Sequence, residues 1–408
     1  MILIQKNDDF ATIPAFLGIG FVALTTIIMA YSHLVSVIPI LAMYVMWFPF
    51  LYYKKDFTIR PSIDIALPLI FAGYCITSSV WSDYPGHSLY SSIQYLSMII
   101  CSIIIARRLS FDDFLKGISL GVFLVLICTF HTGSFSFDAL FGSKNQVGFF
   151  SQIGIIFSIF IIFSKNNSFI SKMIFAAPTF ALSIVCLGLS HSASSVISTA
   201  TVLAICCVGL FIGKLSKPNR PIILSLLLLG VLTIGFSFYA FDINPQTEIL
   251  AFFGKDSTLT GRTDLWKYGL SYFTRNPILG DGYLAFWVEG RPEAEALWEE
   301  FYIPNKTGFH FHNLFIQTMV DLGIVGLLIL LVSIATFSLK SISSLIHNAS
   351  TLYTILPLAL AFMFLTRSFV EVDILNAFGI GPLLFYSMYP RIYNGSSNTV
   401  KQVQTHPV

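Results

Sequence analysis

Runs of about 20 apolar residues recur along the chain, beginning near Thr12, Val35, Ile63, Ser91, Lys116, Val147, Met173, Ser194, Ile222, Asn313, Thr351 and Ile374. A helix of that length, rising about 1.5 Å per residue, crosses the roughly 30 Å hydrocarbon core of a bilayer. The pattern therefore predicts an all-α polytopic membrane protein with about 12 transmembrane helices, the fourth, fifth and twelfth being short. Most runs are joined by about 4 to 16 polar residues. Between the ninth and tenth, from roughly Phe241 to Phe311, polarity persists for about 70 residues, a length that signals function rather than connection. Three segments follow: helices 1–9 in residues 1–240, a large loop with amphipathic helices in 241–311, and helices 10–12 with a polar tail in 312–408.

Composition agrees. The chain is 55% hydrophobic and 11% charged, with mean hydropathy +0.78, against about 25% charged residues in soluble domains. The net charge of +2 is scattered over short loops, which excludes a nucleic-acid-binding face. The six cysteines (75, 101, 128, 186, 206, 207) all lie in apolar runs, without the spacing of a disulfide framework or a zinc site. No small-residue cleavage site follows the first apolar run, so it reads as a retained helix.

Charge then orients the chain. With the N-terminus inside, 15 of the 23 Lys and Arg fall on cytoplasmic segments and six of the remaining eight lie in the long loop. Positive residues favour the cytoplasmic side of short loops, so both termini are expected inside and the long loop outside. Lys144 and Arg367 are the two exceptions. Arg367 stands four residues before Glu371, a spacing that allows an ion pair on a helix; Lys144 can snorkel to headgroups. Both share the outer face with the long loop and with six of the eight histidines (33, 87, 131, 191, 310, 312), which points to a polar cavity opening outward. No internal repeat relates the two halves, which counts against an inverted-repeat transporter.

The chemistry concentrates in the loop, which holds three of the five Trp. Thr260-Gly261 reads as a helix cap. After it, Leu265, Trp266, Gly269, Leu270 and Phe273 recur at helical spacing, as in an amphipathic helix on the membrane surface. Arg262 in its first turn opposes the helix dipole unless an anion binds there. Free N–H groups and the guanidinium would then grip the same phosphate oxygens. The alternative is a surface arginine paired with Asp256 or Asp264. His312, expected to begin the tenth helix, has a side chain able to accept a proton near neutrality, as a general base must. Its alternative is an interfacial or capping histidine. His310 would face another direction on a helix, and a His-x-His metal site requires extended chain. Asp321 lies about 13 Å further along that helix, a functional candidate by its depth or a structural hydrogen-bonding group. Glu371-Val-Asp373 offers either a cation site or, preferably, a Glu371 that orients Arg367 or a sugar hydroxyl. Trp81 belongs to the aromatic belt or a sugar platform.

Several stretches together resemble the O-antigen ligase and polymerase superfamily of bacterial envelope enzymes. They are Trp81-Ser-Asp-Tyr-Pro85, Phe141-Gly-Ser-Lys-Asn-Gln-Val-Gly148, Leu187-Gly-Leu-Ser-His-Ser192, Leu259-Thr-Gly-Arg-Thr-Asp-Leu-Trp266, Pro277-Ile-Leu-Gly-Asp-Gly-Tyr283, and His312-Asn-Leu-Phe315 followed by Leu322-Gly-Ile-Val-Gly326. The Lys144-Asn145 and Leu-Thr-Gly-Arg-Thr stretches look closest to ExoQ-type exopolysaccharide polymerases. The resemblance implies a GT-C-like inner-membrane glycosyltransferase that is inverting, metal-independent and without a cofactor. Its donor would be an undecaprenyl-diphosphate-linked glycan, and its acceptor a glycan or lipid A-core. A chain-length regulator and membrane lipids would be further partners.

Carried onto this chain, Arg262 would hold the diphosphate and His312 would deprotonate the acceptor. Lys144, Asn145, Arg367, Glu371, His191 and Trp266 would line the substrate site. Many ligases place an arginine where this chain has Ala193, so Lys144 or His191 would have to replace it. Polymerisation of repeat units is the expected function, with ligation to lipid A-core and export of lipid-linked glycan as alternatives.

Overall fold

A computed structural model describes residues 13–31, 37–52, 63–133, 143–240, 261–304, 306, 309–348 and 352–392. Among these residues the regular elements are all helical. Before the large loop they are α1 (Ala15–Tyr31), α2 (Val37–Trp47), α3 (Ile63–Thr77), α4 (Pro85–Arg108), α5 (Phe111–Thr132), α6 (Lys144–Phe163), α7 (Phe169–Leu189), α8 (Ala193–Lys214) and α9 (Asn219–Ala240). The loop contributes α10 (Arg262–Phe273) and α11 (Pro292–Glu300), and α12 (Leu314–His347), α13 (Leu352–Ser368) and α14 (Ile380–Met388) follow. Eight helices among the described residues are long and apolar enough to cross a membrane: α3, extended by a turn to Val80, α4 through α9, and α12. Three more are apolar but shorter, beginning at Ala15, Val37 and Tyr353, and α14 has nine residues. The protein is therefore a helical membrane protein.

Polar side chains set the helix ends. Ser110, Ser143, Ser192 and Asn313 stand immediately before α5, α6, α8 and α12, and each accepts a hydrogen bond from a first-turn backbone N–H, satisfying donors that lipid could not. At the opposite ends Arg220 donates to the carbonyls of Gly213, Leu215, Leu345 and Asn348. One guanidinium thus closes the C-termini of α8 and α12 together, where the helix dipole favours a cation. Helix α9 shows none of its apolar window fully buried inside the protein; Leu224 is half-buried against the core, while Leu226, Leu227, Leu228, Leu229 and Leu232 are exposed.

Helix α12 is broken at Gly323, whose φ of 64° and ψ of −167° are not helical. The loop segment 277–283 crosses this break. Asp281 and Gly282 donate to the carbonyls of Val320 and Asp321 (3.1 and 2.8 Å), and Ile324 and Val325 donate to those of Pro277 and Ile278 (2.9 and 3.3 Å). Tyr74 on α3 donates to the Leu322 carbonyl. Irregular backbone within an apolar bundle survives only when such groups are satisfied by protein. A Cβ at Gly323 would meet the Ile278 carbonyl, and one at Gly280 the backbone of residues 321–323. Gly323→Ala, which combines this backbone clash with a φ/ψ pair open almost only to glycine and costing other residues about 1–3 kcal/mol, is expected to lower the unfolding temperature measured in detergent.

The long loop has its own apolar core: Leu265, Tyr272, Phe286, Leu297, Trp298, Phe311 and, from α12, Ile316. Residues Leu265, Gly269 and Tyr272 form the buried stripe of α10, while Leu270 is exposed. The apolar face of this helix is thus covered by protein, contrary to the expectation of a helix lying on lipid. Close approach of Gly269 to Phe311 and Ile316 makes the contact with α12.

Candidate active site

Glu371 is the centre on which the site converges. Helix α13 ends at Ser368, and the N–H groups of Val370 and Glu371 turn back onto the Arg367 carbonyl (2.9 and 2.7 Å). This turn carries the Glu371 side chain beneath the long loop, where it is 2% exposed. Its Oε1 accepts from Asn145 Nδ2 (2.9 Å) and Arg262 Nη2 (3.1 Å). Its Oε2 lies 3.8 Å from His310 Nε2 and 3.7 Å from His312 Nδ1. Arg262 also donates to the Val370 carbonyl at 2.7 Å. Asn145 is fixed in turn, its Oδ1 accepting from Ser192 Oγ at 3.0 Å. Burial alone would raise the Glu371 carboxyl, but His312, Arg262 and His310 outweigh it and hold the group well below the usual carboxylate range.

The two histidines differ from expectation. Residues 309–313 are not helical, His312 has φ of 50°, and α12 begins at Leu314 with Asn313 as its cap. His312 therefore precedes the helix, and the rings of His310 and His312 lie 4.2 Å apart rather than on different faces. The backbone between them is clamped on both sides. Trp266 Nε1 donates to the Phe311 carbonyl (2.9 Å), and Gln317 Oε1 accepts from Phe311 N (3.2 Å) and Trp287 Nε1 (3.1 Å). His312 N donates to His310 Nδ1 at 3.0 Å, which assigns the His310 proton to Nε2, facing Glu371.

Burial, the neighbouring His312 and Arg262 lower the His310 pKa to about 3 against the pull of Glu371. Folded His310 thus binds no proton until about pH 3, whereas the unfolded chain binds one near 6.5. The unfolded state holds more protons between those values, so stability is complete above about 6.5 and falls as pH drops towards 3. His310→Gln should flatten this acid slope, by up to about 1.4 kcal/mol per pH unit, in unfolding curves recorded across that window.

The remaining sequence candidates separate. Arg367 is 1% exposed and does not pair with Glu371. It binds Asp373 (2.5 and 3.2 Å) and Ser195 Oγ (3.1 Å), with the Phe149 ring 4.0 Å away. Because α13 has already ended, the i,i+4 spacing no longer places Glu371 beside it. Its charge is neutralised inside the bundle rather than offered to a cavity. Asp373→Asn would leave that buried cation unpaired and should cost about 3–5 kcal/mol, read as a lower unfolding temperature. Lys144 is the first residue of α6, adjacent to Asn145. His191 is exposed in the turn between α7 and α8 with φ of 48°.

Trp266 donates to the Phe311 carbonyl, and Trp81 to the Leu279 carbonyl at 3.2 Å, so the indole N–H of each is engaged by protein backbone. Asp264 pairs with Lys267 at 3.0 Å; Asp256 and Thr260 lie outside the described residues. Asp321 accepts from Gln317 Nε2 at 2.9 Å beside the break in α12. Sequence reasoning missed Gln317 and the partnership of His310 with His312. The hint for the second was the His-x-His spacing itself.

A helical membrane bundle whose long loop presses an arginine and two histidines onto one buried carboxylate defines a class. The O-antigen ligase family model matches residues 178–331, from within α7 through α8, α9 and the loop to the middle of α12. The exopolysaccharide production protein ExoQ of Rhizobium meliloti (strain 1021) is 35% identical over 382 residues, covering 90% of this chain and 86% of that protein. The chain belongs to the O-antigen ligase superfamily. Within it, the chain is a member of the ExoQ-type exopolysaccharide production proteins.

Proposed function

We propose that this protein polymerises undecaprenyl-diphosphate-linked oligosaccharide repeat units into exopolysaccharide, capsule or O-antigen. It would act at the outer face of the bacterial inner membrane, with both termini cytoplasmic and the 241–311 loop periplasmic, as the distribution of basic residues favours. One observation carries the reading: Arg262, suited to an anion, and His312, suited to a proton, meet on the same buried carboxylate.

In the proposed step His312 Nε2 takes the proton of an acceptor sugar hydroxyl. That oxygen forms a bond to the donor's anomeric carbon from the face opposite the diphosphate, which departs with the bonding electron pair. Configuration inverts. Glu371, 3.7 Å from Nδ1, would stabilise the imidazolium by its charge, and would close onto that nitrogen as the proton arrives. Arg262 and the first-turn N–H groups of α10 receive the charge developing on the diphosphate. The arginine supplies the charge neutralisation for which other transferases use a divalent cation, so chelator should not slow turnover.

Purified protein given lipid-linked repeat units alone should produce a ladder of lengthening glycan. Product that forms only when lipid A-core is added would overturn polymerisation in favour of ligation, a reading supported by the family-model match and weakened by Ala193. Export of the lipid-linked glycan has less support. Its one candidate relay, Asp321, is tied to Gln317 at a fixed helix break.

A further inference from the structure

We propose that His310, His312 and Glu371 form a binding site for one divalent transition-metal ion of the zinc type, and that its occupancy arrests the protein. Binding stands on geometry alone; the arrest rests on the His312 role proposed above.

The three side chains each offer one donor atom, and these atoms lie within 4.8 Å of one another. The distances of 3.7 and 3.8 Å from Glu371 Oε2 to the two imidazole nitrogens are too long for hydrogen bonds. They are close to the ~3.3 Å that separates donors bound at about 2.0–2.1 Å around a tetrahedral ion. His312 Nδ1 is buried and has no hydrogen-bond partner among the described residues. Two imidazoles and one carboxylate, with a fourth position left for water or an anion, suit zinc or cobalt. Magnesium and calcium prefer oxygen donors. Asn145 and Arg262 already hold Oε1, so the carboxylate presents Oε2 with its outer hydrogen bonds in place, as ligating carboxylates require.

Two features oppose binding and set its strength. Coordination through His310 Nε2 moves the proton on that nitrogen to Nδ1 and breaks the bond from His312 N. The Arg262 charge also lies on the same carboxylate. Affinity is therefore moderate and binding reversible. An ion on Nδ1 of His312 forces the remaining ring proton onto Nε2, the nitrogen needed to accept the hydroxyl proton. It also removes the Glu371 charge that would stabilise the imidazolium.

The test uses the full chain in detergent, stripped with EDTA and carrying Cys128→Ser and Cys207→Ser, because those two thiols are exposed. Titration with Co²⁺ should give one equivalent of visible absorption with tetrahedral intensity, displaced by Zn²⁺ and not by Mg²⁺. His310→Ala should weaken binding by about tenfold or more, whereas His347→Ala, exposed near the end of α12, should not. Glu371→Asp, which retracts the oxygen but keeps the charge, is the second variant should His310→Ala unfold. An octahedral spectrum, or equal binding by wild type and by the folded variant, would overturn the site. In the polymerisation assay Zn²⁺ should inhibit wild type with recovery on EDTA; equal inhibition of His310→Ala would overturn the arrest. Absence of any polymerisation would count against the function and leave the Co²⁺ titration to decide the site.

Discussion

His312→Gln is expected to lower turnover by about 10²- to 10⁴-fold, the usual contribution of a positioned base, while leaving expression and unfolding temperature near wild type. Glutamine keeps a polar side chain near Glu371 and cannot accept the hydroxyl proton at neutral pH. The backbone around it is fixed independently, through the Phe311 carbonyl, the Phe311 N–H and the Asn313 cap, so the loss would report on the imidazole. The measurement is initial rate of glycan extension under saturating donor, with the Michaelis constant expected to move little. Near-normal turnover would place the base elsewhere.

Arg262→Ala should lose about 10²- to 10³-fold in turnover, the effect of removing a donor to developing negative charge, and should also weaken donor binding. Arg262→Lys should recover part of the binding and little of the rate, because an ammonium cannot hold Val370 and Glu371 with a planar fork while presenting further N–H groups. The same arginine helps keep Glu371 ionised. Its loss raises that carboxyl and weakens the hold on both histidines. Kinetics of the alanine variant must therefore be paired with an unfolding measurement. A protein that is stable and still extends long glycan would remove Arg262 from the chemistry.

Apolar length is directly legible in sequence, and helices stand near each predicted run. Their starts were harder to read where first turns are polar. Helix α4 begins at Pro85 rather than near Ser91, because a proline at the first helical position nucleates it ahead of the apolar stretch. Helix α5 begins at Phe111, with Ser110 as cap and Asp112 and Asp113 in its first turn. The break at Gly323 was hidden because hydropathy is continuous across it; only the crossing segment 277–283 reveals why glycine stands there.

In the candidate site, Arg262 and His312 are legible from what their side chains could do; their common partner is not. Helical spacing pairs Glu371 with Arg367, a rule that stops applying where α13 ends. Tertiary contact alone joins residues 145, 262, 310, 312 and 371.

That joining has a temporal side. Glu371 lies in the last tenth or so of the sequence and Asn145 in its first half, so a ribosome has made α6, the long loop and both histidines well before it makes the carboxylate that gathers them. A nascent or C-terminally shortened protein holds Arg262 and His312 without the anion that aligns them. On the proposed mechanism, the chain would enter a membrane stocked with reactive lipid-linked sugar while still chemically silent, and would become competent only when its last helices are threaded into place.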